Sequence, residues 1–112
     1  MEIMEIKRLS HALGAQVIGL DLTQRVSEAD FAVVHQAFLD HGILLFRGQE
    51  ITREQHIAFS RRFGELMVDK SPDSDPQYPE LTIVTTRPQA DGKPSESRYT
   101  GQLWHTDIPF SL

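Results

Sequence analysis

Apolar and polar positions along the chain change their period several times, and each change marks an element. Between Gly14 and Leu22 the residues alternate, Val17 sharing one face with Gly19 and Ile18 the other with Leu20, which predicts a strand. The glycines within it point to a bulge or a close backbone approach. Ile3 to Ile6 is a weaker strand. Ser27-Glu28-Ala29-Asp30 has the form of a capping box, with Asp where Glu usually stands. Phe31, Val34 and Phe38 follow at helical spacing, so a helix with a buried aromatic stripe is expected. Gly42 supplies its stop. The continuous apolar run Ile43-Leu44-Leu45-Phe46 predicts a strand buried on both faces, and Arg47-Gly48-Gln49 turns the chain. A second capping box, Thr52-Arg53-Glu54-Gln55, opens a helix through about Phe63. Phe59 and Phe63 share one face of that helix, with Ile57 and Ala58 at its border and Gly64 as its stop.

The second half has weaker periodicity. Asp69 to Pro79 is rich in Pro, Asp and Ser and predicts a loop, with Asp73 and Asp75 in solvent. Leu81-Thr82-Ile83-Val84-Thr85-Thr86 is β-branched and predicts a strand. Arg87 to Thr100 is a second long loop, and loops of this length often cover active sites. There is no internal repeat. Strand, helix, strand, helix, then strands and loops define the α+β class.

Composition narrows this picture. At 112 residues the chain is one domain at most. Apolar residues make up 39% and charged residues 24%, which is a globular balance and excludes wholesale disorder. The net charge of -5, with no basic run longer than the pairs Lys7-Arg8 and Arg61-Arg62, argues against a nucleic-acid surface. Without cysteine there is no disulfide framework, thiolate metal site or thiol nucleophile, so any metal must be held by nitrogen and oxygen. Met1-Glu2-Ile3-Met4-Glu5 is acidic where a secretory signal is basic. No run approaches the ~18 apolar residues of a membrane span. A soluble cytoplasmic protein is the expectation.

The chemistry concentrates in Gly101-Gln102-Leu103-Trp104-His105-Thr106-Asp107-Ile108-Pro109-Phe110. Read as a strand, this stretch sets His105 and Asp107 on one face and Thr106 on the other. An imidazole and a carboxylate side by side are two corners of a metal site, and with a second histidine they make the facial triad that binds Fe(II). The plainer reading is a strand histidine hydrogen-bonded to its neighbour. His11, His35, His41 and His56 lack a carboxylate at ligand spacing and are read as surface or boundary residues. Arg47, Arg61 and Arg62 cap or solvate their elements, Trp104 packs, and Thr106 is structural.

Four stretches, in this order, resemble the taurine dioxygenase/TfdA family of Fe(II)- and 2-oxoglutarate-dependent dioxygenases. They are Gly14-Ala15-Gln16-x-x-Gly19-x-Asp21-Leu22, His41 to Gln49, Ala58-Phe59-Ser60-Arg61-Arg62-Phe63-Gly64-Glu65-Leu66, and Trp104-His105-Thr106-Asp107-x-x-Phe110. The match covers residues 1–112 as the N-terminal part of one such domain, roughly its first third, with the C-terminal part absent. The resemblance implies a double-stranded β-helix (jelly-roll), partial here, with the N-terminal helices packed on the sheet.

The resemblance also makes His105 and Asp107 the first two iron ligands. It implies Fe(II) as cofactor, 2-oxoglutarate as co-substrate, and hydroxylation of a small, anionic substrate by O2 with release of succinate and CO2. In the family the distal histidine and the arginine that clamps 2-oxoglutarate lie downstream of the matched region. Met67-Val68-Asp69-Lys70 stands where taurine dioxygenases carry a histidine, and Gly101 where they carry an asparagine, so taurine itself is disfavoured. Asp69, Lys70, Arg98, Gly101 and Gln102 are the substrate-binding candidates. No nucleic-acid or membrane partner is implied, and a homo-oligomer remains open. The alternative is a truncated, non-catalytic chain acting as a binding or assembly module.

Overall fold

The sheet is organised around a short strand whose two neighbours run in opposite senses. Strand β2 (Ala15–Ile18) pairs antiparallel with β1 (Glu5–Arg8), in the register Glu5 to Ile18 and Arg8 to Ala15. On its other side β2 pairs parallel with β3 (Leu44–Leu45), Ala15 opposite Leu44. Parallel neighbours need a crossover, and helix α1 (Glu28–His41) supplies it. Helix α2 (Arg53–Arg61) completes the regular elements. These elements belong to a computed structural model that describes residues 3–68, 72–95 and 101–107. The chain forms two units, Met1–Leu66 and Met67–Leu112, and every strand and helix named lies in the first.

The core of the first unit follows from β2. Ala15 and Val17 are buried on one face, and α1 lies against β2 and β3 with Val34 and Ala37 buried. Leu22, Val26 and Ile57 complete the buried set. The expected strand from Gly14 to Leu22 is therefore shorter, because Gly19 adopts φ 83° and turns the chain after Ile18. A Cβ there would meet the Ile3 carbonyl oxygen at 2.7 Å, so the residue is held to glycine by both its backbone angle and its space.

The expected stripe on α1 shifts by one position. Val34 is fully buried, whereas Phe38 is 41% exposed and Phe31 half-buried. The rings lean toward α2, where Phe63 meets Phe31 at 5.0 Å and Phe38 at 5.5 Å between centroids, both edge to face. Phe46 and Phe59 extend this cluster, also at 5.5 Å. On α2 it is Ile57, expected at the border, that is buried. The run Ile43 to Phe46 forms a strand only at Leu44–Leu45; Leu44 to Phe46 are half-buried and Ile43 is exposed rather than covered on both faces, since β3 is an edge strand among the described residues. Helix α2 ends at Arg61, capped by Arg62, two residues short of Phe63.

Both helix starts follow the capping pattern. Thr52 and Gln55 make the reciprocal box on α2. On α1 the Ser27 hydroxyl accepts from the Asp30 N–H. The side chain of Asp30 is one methylene shorter than the usual Glu. Arg62 does more than solvate its helix end: its guanidinium sits 4.5 Å over the Phe31 ring, donates to the Val26 carbonyl, and pairs with Glu28 at 2.8 Å.

The second unit is built from turns. The expected strand from Leu81 to Thr86 is one bridge, Ser74 with Thr82. Ile83 N–H donates to the Asp73 carbonyl at 2.8 Å and Asp75 N–H to the Leu81 carbonyl at 2.9 Å. β-branched residues favour a pleated surface only where a neighbour covers it, and Ile83 and Val84 are exposed. Asp75, expected in solvent, is buried; its Oδ1 accepts from Gln77 N–H and Tyr78 N–H and forms the turn. The loop from Arg87 closes on itself through Gln89 N–H to the Lys93 carbonyl and the Gln89 side chain to the Pro94 carbonyl. No helix among the described residues is long and apolar enough to cross a membrane.

Candidate metal-ligand pair

His105 and Asp107 come together without a strand. Residues 101–107 are irregular, and no strand among the described residues pairs with them. Alternation of faces is enforced by a ladder, and without one the expected strand does not form. A local turn does the work instead: His105 Nε2 lies 3.3 Å from Asp107 Oδ1. Both side chains are exposed, 55% for His105 and 94% for Asp107.

The second ring nitrogen is also engaged. His105 Nδ1 lies 2.7 Å from the Leu103 carbonyl oxygen. A carbonyl only accepts, so Nδ1 carries the proton and donates. In the neutral ring Nε2 is then a bare lone pair, aimed beside a carboxylate oxygen. Two acceptors at this distance repel unless a proton or a cation lies between them. A backbone carbonyl fixing the tautomer while the other nitrogen faces outward is the usual orientation of a metal-bound histidine. The donor set therefore fits two corners of a divalent site. Among the described residues no group of three or more His or carboxylate side chains converges. Leu103 as the orienting residue left no signal in the sequence, because every residue offers a carbonyl.

The other candidates divide. Gly101 is exposed with φ 83°, and Gln102 is exposed in the same turn. Asp69, Lys70 and Arg98 lie outside the described residues. Trp104, expected to pack, is fully exposed, as is most of Leu103. Elsewhere in the same unit a cleft of about 290 Å³ is lined by Asp73, Thr85, Arg87 and Ser95 among others. Arg87 was not singled out by its sequence context.

The nitrogen and oxygen donors of this His-x-Asp turn are of the class that divalent metals accept. Comparison with known proteins narrows the class. Residues 5–112 match the model of the family described as taurine catabolism dioxygenase TauD, TfdA family. The chain belongs to that family. It is 34% identical over 107 residues to the alpha-ketoglutarate-dependent 2,4-dichlorophenoxyacetate dioxygenase of Burkholderia sp. (strain RASC), a match covering 85% of this chain and 35% of the relative. A taurine dioxygenase from Burkholderia xenovorans superposes with a TM-score of 0.55 and 38% identity, over 62% of this chain and 27% of the other. AAD-2, solved in complex with Mn(II) and N-oxalylglycine, superposes with a TM-score of 0.56 and 32% identity over 58% of this chain and 26% of its own. The matches span 21% to 37% of the length of the curated relatives.

Proposed function

We propose that this chain supplies the first two protein ligands of an Fe(II)- and 2-oxoglutarate-dependent dioxygenase, His105 and Asp107, at the edge of a jelly-roll barrel. The whole-length enzyme hydroxylates a small organic anion and releases succinate and CO2. The observation that carries this reading is the 3.3 Å convergence of His105 Nε2 and Asp107 Oδ1, with Nδ1 tied to Leu103. Bound iron would supply the redox centre at which 2-oxoglutarate and oxygen are activated. His105 presents a neutral nitrogen whose direction the Leu103 carbonyl sets. Asp107 contributes the negative charge that favours a divalent cation.

The AAD-2 complex with Mn(II) supports divalent-metal binding in this family. The dichlorophenoxyacetate relative supports an aryloxyalkanoate as the substrate. Gly101 and the segment Met67-Val68-Asp69-Lys70, which depart from the taurine dioxygenase pattern, weigh against taurine itself.

The test combines two readouts. Mn(II) binding by the 112-residue chain, followed by electron paramagnetic resonance, is expected to weaken by about tenfold or more on His105→Ala or Asp107→Ala, since loss of an outer-shell partner alone costs that much. Whole-length protein is expected to form succinate only when 2-oxoglutarate and an aryloxyalkanoate are both present. Metal binding that survives the double substitution, or succinate formation indifferent to every aryloxyalkanoate and sulfonate, would sink the proposal.

A further inference from the structure

The outer edge of β1 has a main-chain pattern that the rest of the sheet fixes. Ala15 N–H donates to the Ile43 carbonyl at 3.0 Å, so Ala15 and Val17 address β3. Gln16 and Ile18 therefore address β1, where their partners are Lys7 and Glu5. Leu9 N–H, donating to the Gly14 carbonyl at 3.0 Å, keeps the same parity. The N–H and C=O groups of Met4, Ile6 and Arg8 then point away from the sheet, and no strand among the described residues pairs with them. The residues around Ile6 are self-complementary. Glu5 and Lys7, on either side of it, are opposite charges, and among the described residues neither has an ion-pair partner. Farther out, Ile3 and Leu9 are apolar residues 88% and 45% exposed. Beside Ile6 a groove of about 560 Å³ runs along α1, with Ala32, Val33 and Ala37 as its apolar wall.

We propose that the outer edge of β1 docks a second copy of this chain, the two strands pairing antiparallel about a two-fold axis at Ile6. Ile6 then stands opposite the partner's Ile6, Glu5 opposite the partner's Lys7, and Ile3 opposite the partner's Leu9. Parity permits this register. Opposed residues of an antiparallel ladder must both turn their main-chain groups to the partner, as Ile6 does with itself and Met4 with the partner's Arg8. A register centred between Ile6 and Lys7 would oppose an outward group to an inward one and form no ladder. Centring on Glu5 or on Lys7 would set like charges opposite each other, which destabilises the pair. Charged residues, lysine above all, keep an edge strand from pairing at random. Here the same charges repel other registers and select this one. Self-complementarity of a single patch is what a two-fold interface requires. The ladder is short against the ~800 Å² per partner of a standard interface, so the association is reversible. It is independent of the metal pair and of the reaction.

Sedimentation of the 112-residue chain is expected to show a monomer–dimer equilibrium. Glu5→Lys and Lys7→Glu each set like charges across the axis and are expected to weaken dimerisation by about tenfold or more. An equimolar mixture of the two variants restores opposite charges at both positions and is expected to dimerise as the unaltered chain does. Amide exchange of the unaltered chain reads the register. The N–H groups of Ile6 and Arg8 are expected to gain about tenfold protection from dilute to concentrated protein, while those of Glu5 and Lys7, already bonded to β2, change little. A monomer at every concentration would overturn the inference. So would a dimer indifferent to both substitutions, a mixture that stays monomeric, or a dimer in which Ile6 N–H exchanges as fast as in the monomer.

Discussion

The side chain of Gln49 closes onto the backbone at Leu22: its Oε1 accepts the Leu22 N–H at 3.0 Å, and its Nε2 donates to the Leu20 carbonyl at 2.9 Å. A strand residue makes this pair of bonds with its main chain. Here a side-chain amide makes them, just where the ladder of β2 has ended. The chain leaving the sheet after Gly19 is thereby fastened to the turn that follows β3.

Gln49→Ala leaves the Leu22 N–H and the Leu20 carbonyl without this partner in a part-buried place. The expected loss of stability is about 1–3 kcal/mol by chemical denaturation. Gln49→Glu keeps the acceptor but sets a carboxylate oxygen against the Leu20 carbonyl, so it should cost at least as much as Gln49→Ala. Equal stability of all three proteins would show that water replaces the amide.

Arg62 joins α2 to the start of α1 through the Phe31 ring, the Val26 carbonyl and Glu28. Arg62→Lys keeps the charge and loses the planar fork, and a destabilisation of about 1–2 kcal/mol is expected. Glu28 is 85% exposed, so Glu28→Gln should cost about 0.5 kcal/mol or less. A double-mutant cycle at these two positions checks the difference.

Gly19→Ala places a methyl group 2.7 Å from the Ile3 carbonyl oxygen at φ 83°. Left-handed backbone alone costs an L-residue about 1–2 kcal/mol, and the clash adds to that. A lowered Tm with weaker amide protection along β1 is the expected result. Gly48→Ala, with a similar φ of 66° and open space around it, should cost less.

Thr23 holds the Asp21 carboxyl below the usual carboxylate range, first through its hydroxyl and then through its N–H. The folded state therefore gains from ionised Asp21 above that range and loses the gain as pH falls through the lowered value. Thr23→Val removes the hydroxyl bond. The Asp21 carboxyl should then titrate at higher pH, closer to its ordinary value, in a carbon-13 NMR titration. The site is exposed, so the effect on overall stability is small.

The local signals were the legible ones. The Thr52 and Ser27 caps and the Gly42 stop act within one turn of chain, and each stands where its residues predicted. Burial was misplaced wherever it depended on a distant neighbour. Phe38 has the period of a core residue but is exposed, and Ile43 to Phe46 has the composition of a central strand but lies at an edge among the described residues. His105 and Asp107 meet as their spacing suggested, though by a turn rather than a pleat. The carbonyl of Leu103 that aims the imidazole is invisible to any side-chain pattern.

The parallel pairing of β2 with β3 also has a kinetic meaning. Ala15 and Leu44 are partners across the whole of α1, so the ladder between them cannot form until that intervening chain has folded back. The entropy of closing such a span must be met before the pairing yields anything. A preformed α1 shortens the search, which makes the Ser27 cap a determinant of folding rate as well as of stability. Ser27→Ala should slow refolding, while a substitution in α2, outside that span, should chiefly hasten unfolding.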